Sequence, residues 1–223
     1  ESGENSNVWF TNLIALCERK NIGWSWWPVK KAGINNVLQV NTNAGYAQLI
    51  KSWKGELPAM SANDAFNAVM GYAENHKIEN CVVQRDVIDA MLRQPFTTQT
   101  IAFDNHKLGE RIFFAQYDLG RNGYAYFDSD TANYHGNTNQ YTNWNQGWAY
   151  RNDGVDLQKS TDNLTSSNYT VGWTNAGEWL QYTINVPDEM ACDVEIRCAS
   201  AENSGLVHFE IDGQSVSKHI TMP

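Results

Sequence analysis

The first residues that could do chemistry form a tryptophan-rich stretch, Ile22-Gly23-Trp24-Ser25-Trp26-Trp27-Pro28. Proline is tolerated in a β-strand mainly at its ends or on an edge, so Pro28 predicts that Trp26 and Trp27 lie where a strand opens into a loop. An indole there either packs in the core, the commoner fate of tryptophan, or forms a platform for a flat ligand. We expect Trp27 to be such a platform.

A second stretch, Gly172 to Trp179, combines the two kinds of side chain that a sugar ring requires. One face of a pyranose consists of C–H groups and stacks on an exposed indole, while its hydroxyls bind planar polar side chains at the ring's edge. Trp173, with Asn175 and Gln158 as candidate partners, offers both contacts. Trp179 alternates with Leu180 on a predicted strand, so its indole faces either a ligand or the core.

Composition and charge exclude several classes of function. The chain is 42% hydrophobic and 12% aromatic, which is typical of globular domains. No run of about 18 apolar residues predicts a membrane span. Residues 1–94 carry nine basic and nine acidic side chains, so the net charge of −9 falls on residues 95–223. An acidic surface without a basic stripe argues against nucleic-acid and membrane partners and favours a neutral ligand such as a polysaccharide. We also expect the protein to be a monomer.

Helical periodicity in the first 94 residues gives way to strand patterns after about residue 96. The spacing of apolar residues predicts helices over 7–20, 44–53, 63–77 and 83–94. Short alternating segments between turn residues then predict the strands of a sandwich or barrel, over 97–103, 111–117, 123–127, 178–185, 191–198 and 206–212. Residues 128–170 have the composition of a loop with embedded aromatics. The cysteines lack zinc-binding spacing, and we expect free thiols.

The start of the chain resembles part of the (β/α)8 barrel of glycoside hydrolase family 5. Glu1-Ser2-Gly3 is similar to the end of the seventh strand, the following helix to the seventh helix, and Ile22 to Trp27 to the eighth strand. The resemblance implies that Glu1 is the catalytic nucleophile, with Glu4 as the nearest alternative. It also implies that Trp27 forms the floor of a sugar subsite.

That family resemblance implies hydrolysis of a β-linked glucan, mannan or xylan with retention of configuration and without a catalytic cofactor. Retaining hydrolysis needs two carboxylates about 5–5.5 Å apart, one as nucleophile and one as acid/base. The Asn-Glu pair that carries the acid/base in the family does not occur in this sequence. We therefore expect these residues alone to be inactive and to belong to a longer, active parent protein.

The later part of the chain resembles a family 6 carbohydrate-binding module. The motifs that carry the resemblance are Tyr117-Asp118-Leu119-Gly120, Tyr124-Ala125-Tyr126, residues 150–157, residues 171–182 and residues 196–200. It implies a jelly-roll sandwich, with Trp173 in a cleft at the loop end and Trp179 on the concave face. Ala115-Gln116 stands where the family usually has Ala-Glu, so Gln116 is expected to be a weak ligand of a structural calcium.

Together these observations predict a multidomain chain: a partial (β/α)8 barrel with extra helices, followed by an all-β jelly-roll sandwich. The predicted boundaries are 1–57 for the end of the barrel, 58–108 for a helical extension and linker, and 109–223 for an incomplete carbohydrate-binding sandwich. We expect a fragment of a secreted or cell-surface glycoside hydrolase. The alternatives are a non-catalytic carbohydrate-binding protein and a structural or adhesion module without an exposed tryptophan.

Overall fold

The computed structural model describes residues 6–32, 36–131, 150–162, 167–200 and 205–222. The chain divides into two compact units, Glu1–Asn185 and Val186–Pro223. This division falls inside the predicted sandwich domain, and the predicted domain boundaries stay a prediction. Within the described ranges, no helix has the length and apolar character needed to cross a membrane.

The helices follow the periodicity of the first 94 residues. They are α1 (Asn7–Arg19), α2 (Ala44–Trp53), α3 (Ala62–Glu74) and α4 (Arg85–Leu92). At the start of α2, the side chain of Asn43 accepts a 2.7 Å hydrogen bond from the amide of Tyr46. Ser61 caps α3 in the same way, accepting from the amide of Asp64 at 3.1 Å. These caps satisfy amides that have no partner inside the helix, so local sequence sets both helix starts.

The helices pack as α1 against α4 and α2 against α3. The first pair is held by apolar residues that share one face of each helix, namely Phe10, Ile14, Val87 and Met91. In the second pair, Tyr46 stacks on Tyr72 with ring centroids 3.9 Å apart. The two helices of the predicted helical extension, α3 and α4, therefore belong to different packing pairs.

The tryptophan-rich stretch is not a strand, and the prediction for it was wrong. Residues 22–29 form no strand, and β1 (Lys30–Ala32) begins only after Pro28. β1 pairs in parallel with β2 (Leu38–Val40), which pairs antiparallel with β3 (Val82–Val83). Because proline has no N–H to donate, regular pairing starts on its C-terminal side. Pro28 precedes a strand instead of ending one.

Nothing in the described residues supports the predicted barrel. The sheet of β1, β2 and β3 is small and mixes parallel with antiparallel pairing. A (β/α)8 barrel is a closed ring of eight parallel strands and needs about 250 residues. The described part of residues 1–57 provides two paired strands and two helices, which is too little to close such a ring.

A second core lies among the strands that follow. The strands are β4 (His106–Lys107), β5 (Tyr126–Phe127), β6 (Leu157–Lys159), β7 (Tyr169–Val171), β8 (Trp179–Leu180) and β9 (Ile184–Asn185). β5 pairs with β8 and β6 with β7, both antiparallel, whereas β4 and β9 run parallel. The core consists of Ala115, Tyr117, Ala125, Tyr126, Val155 and Leu157. The strand pairs are compatible with part of a β-sandwich but are shorter than predicted.

Several predicted strands are wrong. In the segment 111–117, Phe114–Gln116 forms one turn of 3₁₀ helix. The segment 97–103 contributes only a single bridge, between Ile101 and Leu119, and residues 191–198 form no strand. The alternation that suggested a strand at 111–117 is nevertheless real, because Ala115 and Tyr117 are buried on either side of a more exposed residue. Alternating burial does not require a hydrogen-bonded ladder.

The described residues of the second unit form two antiparallel strand pairs, one enclosing the other along the chain. Its strands are β10 (Leu206–Val207), β11 (Glu210–Ile211), β12 (Gln214–Ser215) and β13 (Ile220–Thr221), pairing β10 with β13 and β11 with β12. Asp212 and Gly213 connect β11 to β12 with φ angles of 51° and 75°. Two successive residues with positive φ define the type I′ turn, whose twist matches that of the flanking strands, and Asp-Gly is among its preferred sequences.

A buried polar network joins α1 and α4 to the β-rich part of the first unit. Asn7 donates through Nδ2 to Asp86 Oδ2 at 2.7 Å and to Asp153 Oδ1 at 2.8 Å. Asp153 Oδ2 lies 2.6 Å from Nη2 of Arg151. The backbone amide of Asn152 donates to Asp86 at 2.7 Å. Since these groups come from both parts of the chain, the helices and the β-rich residues share one interior.

The guanidinium of Arg151 is the positive centre of this network. It donates to the carbonyl oxygens of Tyr117 and Asp118 and lies 3.6 Å over the Tyr117 ring. Burial and the nearby charge of Asp153 raise the pKa of Asp86 to about 6. One guanidinium thus faces two buried carboxylates, which leaves the network short of positive charge.

Candidate functional site

Trp179 faces away from the core. Its neighbour Leu180 packs against the core of the first unit, whereas the side chain of Trp179 is 40% exposed. This alternation follows from the two-residue period of a strand. It resolves the question that the sequence left open about the direction of Trp179.

Phe127 lies beside Trp179 and was missed by sequence analysis. The two residues are direct partners in the antiparallel β5–β8 ladder, so their side chains project from the same face of the sheet. Phe127 is 39% exposed, which gives the face two adjacent aromatic surfaces. Only the strand register identifies this pair, because 51 residues separate the two in the sequence.

Trp173 lies in the loop between β7 and β8 and is 43% exposed. Its φ angle is +48°, a left-handed conformation that is uncommon for residues with bulky side chains. The preceding residue, Gly172, donates its amide to the carbonyl of Asp156 at 2.9 Å. The loop is therefore anchored just before the exposed indole.

Glu178 closes this loop through both of its carboxylate oxygens. Oε2 accepts from the backbone amide of Asn175 at 2.7 Å, and Oε1 accepts from the Asn175 side chain at 3.4 Å. Oε1 also accepts from the amide of Ser129 at 3.1 Å and from its hydroxyl at 2.6 Å. Burial acts to raise the pKa of Glu178, but these hydrogen bonds outweigh it and hold the pKa below its usual value. Glu178 remains ionised under mildly acidic conditions.

The two polar residues predicted to contact a ligand differ in their surroundings. The side chain of Asn175 is exposed but already donates to Glu178. Gln158 is exposed on β6, where it pairs with Thr170 of β7, three residues before Trp173. Gln158 therefore presents its amide on the strand pair that leads into the Trp173 loop.

Asp128 follows Phe127 in the sequence and has a buried carboxyl. Burial raises its pKa to about 6, and the charge of Glu178 adds to the effect. The backbone amide of Asp130 donates to Asp128 Oδ1 at 2.9 Å. The side chain of Asn122 holds the backbone of Asp128 through both its oxygen and its nitrogen. These bonds fix the segment that carries Phe127 and Ser129.

Gln116, the predicted calcium ligand, lies in the 3₁₀ turn and is partly buried. Its side-chain nitrogen donates to Asp104 Oδ2 at 3.1 Å, and its backbone carbonyl oxygen lies 3.1 Å from His106 Nε2. Calcium takes six to eight oxygen ligands, and this neighbourhood offers one carboxylate and one amide. In the part of the chain that the structure describes, no three His, Cys, Asp or Glu side chains come together as a metal site. The described donors near Gln116 are too few to complete a calcium site, and the predicted calcium stays a prediction.

Trp27 is the most exposed tryptophan of the described residues, at 86%. It borders a cavity of about 260 Å³ that is also lined by Trp9, Leu13, Trp24 and Trp26. The Nε1 of Trp24 donates to Glu18 at 2.8 Å. The predicted nucleophile Glu1 and its alternative Glu4 lie outside the described residues, so the structure does not relate Trp27 to either carboxylate.

Asp86, despite its raised pKa, is not a candidate catalytic group. A shifted carboxyl indicates a functional site when it lies in a cleft, where substrate can reach it. Asp86 is buried, and its Oδ2 accepts from Asn7 and from the amide of Asn152. We assign it to the structural network.

Comparison with protein families locates a known module at the end of the chain. The model of the carbohydrate binding module (family 6) matches residues 146–223. No curated protein and no solved structure matches the chain. The matched range contains Trp173, Trp179, Asn175 and Gln158, whereas Gln116 and the predicted barrel residues lie outside it. The match supports the predicted carbohydrate-binding module and indicates carbohydrate binding by this part of the chain.

Proposed function

We propose that this protein binds a β-linked polysaccharide through the exposed tryptophans of its carbohydrate-binding module. The observation that carries the proposal is the exposure of Trp173 and Trp179 inside the matched range. An aromatic side chain left in water loses the free energy that its burial would provide, about 1.5–3 kcal/mol for a large apolar side chain. Binding a ligand that covers both rings recovers part of it.

The chemistry of the two tryptophans fits a neutral sugar chain. Each indole offers a flat apolar face to the C–H groups of a pyranose, and the exposed amide of Gln158, on the strand pair that leads into the Trp173 loop, offers both a donor and an acceptor to the hydroxyls. The acidic charge of residues 95–223 disfavours anionic ligands such as nucleic acids. A β-linked glucan, xylan or mannan presents sugar faces along an extended chain, which can cover more than one aromatic surface.

The proposal is tested by removing single indoles and measuring affinity for cellohexaose, xylohexaose and mannohexaose by calorimetry. Loss of one stacked aromatic weakens binding by about 1–3 kcal/mol in nucleic-acid sites, and we expect a similar scale here, which is roughly fivefold to 150-fold in affinity. Trp173→Ala and Trp179→Ala should each weaken binding. Trp53→Ala is the matched control, because Trp53 is 67% exposed on α2.

The outcome distinguishes the two tryptophans. A loss confined to Trp173→Ala places the ligand at the loop, and a loss confined to Trp179→Ala places it on the sheet face beside Phe127. Equal affinity in all four proteins, or no binding by the unsubstituted protein, would contradict the proposal. It would then favour a structural or adhesion role for the β-rich part.

We propose further that the module serves a secreted retaining glycoside hydrolase, with Glu1 as nucleophile and Trp27 as the floor of a sugar subsite. What supports this is the resemblance of the first residues to family 5 hydrolases and the exposed face of Trp27. Reducing-sugar release by the full-length protein, compared with its Glu1→Gln and Glu4→Gln variants, tests the proposal. Activity lost in Glu1→Gln alone supports Glu1. Absence of activity in the unsubstituted protein supports the non-catalytic alternative.

A further inference from the structure

Trp173 adopts a backbone conformation that its own side chain disfavours. Its φ angle of +48° lies in the left-handed region, where a Cβ crowds the following carbonyl group. Glycine, asparagine and aspartate enter that region more readily than tryptophan does. A bulky residue stays there only when its surroundings hold it, and such residues are concentrated at ligand-binding sites.

The Glu178 carboxylate is the group that can hold the Trp173 loop. Through Oε2 it binds the backbone amide of Asn175, two residues after Trp173, at 2.7 Å. Through Oε1 it binds the amide and the hydroxyl of Ser129, which follows β5 closely along the chain, at 3.1 and 2.6 Å. One side chain thus ties the loop to a residue 49 positions away in the sequence.

We propose that Glu178 is a positioning residue that holds Trp173 in the conformation in which its indole binds sugar. The inference rests on the proposed carbohydrate function and extends it from the stacking residues to the group behind them. It also changes the role of Asn175. Because both its backbone amide and its side-chain amide donate to Glu178, Asn175 forms part of the tie, and its predicted contact with a ligand stays a prediction.

Both carboxylate oxygens of Glu178 accept hydrogen bonds, so the substitution Glu178→Gln tests its positioning role. Oε1 of Glu178 accepts from Ser129 and from the Asn175 side chain, whereas Oε2 accepts from the backbone amide of Asn175. Glutamine has nearly the same shape but only one accepting oxygen, so its NH₂ group must face an N–H or O–H donor on the other side. Glu178→Gln therefore opens one half of the tie without removing volume.

The expected loss of affinity follows from the population of the competent loop. If the bound conformation falls from nearly all molecules to about one tenth of them, the apparent dissociation constant rises about tenfold. Ser129→Ala removes the hydroxyl bond but keeps the backbone amide of residue 129, so we expect a smaller loss, about twofold to threefold on the same reasoning. Contacts between indole and sugar remain available in both variants.

The experiment uses the full chain labelled with fluorotryptophan and titrated with cellohexaose, xylohexaose and mannohexaose. The Trp173 resonance is identified as the fluorine signal that is missing from Trp173→Phe. In Glu178→Gln we expect this resonance to shift or broaden while the other tryptophan signals stay in place, together with the tenfold loss of affinity. Glu110→Gln is the matched control, because Glu110 is an exposed glutamate near Lys107 and is distant in sequence from the loop.

Three outcomes overturn or separate the claims. An unchanged Trp173 resonance with unchanged affinity in Glu178→Gln overturns the inference, and loss of binding in Trp173→Ala then leaves the carbohydrate function standing. If Glu178→Gln loses its folded spectrum, Ser129→Ala decides, and wild-type behaviour in that variant overturns the inference. If the unsubstituted protein binds none of the three sugars, the proposed function fails and the sugar-positioning role of Glu178 fails with it.

Discussion

Replacing Asp86 with asparagine should raise the free energy of unfolding at neutral pH. Asp86 is buried, and its Oδ2 accepts from Asn7 and from the amide of Asn152, both at 2.7 Å. An asparagine oxygen can accept both bonds, since neither requires a negative charge. The substitution removes the burial of a carboxylate beside a second one, Asp153, while Arg151 keeps its ion pair with Asp153.

The pKa of Asp86 sets the size of the effect. It is raised from 3.8 to about 6, chiefly by burial and then by Asp153. At about 1.4 kcal/mol per pKa unit, this amounts to about 3 kcal/mol of destabilisation at pH 7. An asparagine NH₂ group that lacks an acceptor removes about 1 kcal/mol of that gain. We expect Asp86→Asn to be more stable than the unsubstituted protein by about 2 kcal/mol.

The sign of the pH dependence follows from the raised pKa. Between pH 3.8 and about 6, the folded protein keeps a proton on Asp86 that the unfolded chain has lost. Stability from this group therefore falls as pH rises through that window, and the penalty is complete above it. The gain in stability of Asp86→Asn over the unsubstituted protein should be largest near neutral pH, and it should shrink and turn slightly negative as pH falls toward 4, because only the cost of the asparagine NH₂ group then remains.

Urea unfolding followed by tryptophan fluorescence measures this difference at neutral pH and at about pH 4. Asp188→Asn serves as the control, because it removes one exposed carboxylate of the same kind. A loss of stability in Asp86→Asn at neutral pH would refute the reasoning, since it would mean that the network needs the charge of Asp86. A difference that stays constant between the two pH values would also refute it.

Two further predictions concern residues next to this network. Asp153→Asn should destabilise the protein by about 3–5 kcal/mol in the same urea assay, because it leaves the buried guanidinium of Arg151 without its partner at 2.6 Å. A loss below 1 kcal/mol would show that Asp86 can replace it. Gly154→Ala should cost about 2 kcal/mol or more in thermal unfolding, because φ is +96° and a Cβ would lie 2.6 Å from Thr131 Cα. Gly109→Ala, with positive φ but open space around it, should lose less.

The helices could be predicted from sequence because their signals are local. Apolar spacing and the capping residues Asn43 and Ser61 lie within a few positions of the helix starts, and the segment 44–53 is helical over its predicted length. The predictions for the β-rich part were wrong where strand pairing depends on partners that are distant in the sequence. The segment 111–117 shows the expected burial at Ala115 and Tyr117, but no strand in the described part of the chain forms a ladder with it.

The candidate site was predictable only in its most conspicuous residues. Trp173 and Trp179 stand out by type and by their neighbours, and both are exposed. Phe127 lies on the same sheet face as Trp179 because of the register of β5 and β8, which no local pattern specifies. Glu178 resembles an ordinary surface charge in the sequence, because its partner Ser129 is 49 residues away. Residues that act through contacts with sequence-distant partners can be recognised only once the fold is known.

The polar network around Arg151 also limits how this module can be transplanted. A binding domain can be moved to another protein only if all the residues that form its interior are moved with it. A fragment that begins at residue 109 would keep Arg151 and Asp153 but lose Asn7 and Asp86. The Asp153 carboxylate would then lack the hydrogen bond that it accepts from Asn7. Moving the carbohydrate-binding part to another protein therefore calls for α1 and α4 to travel with it.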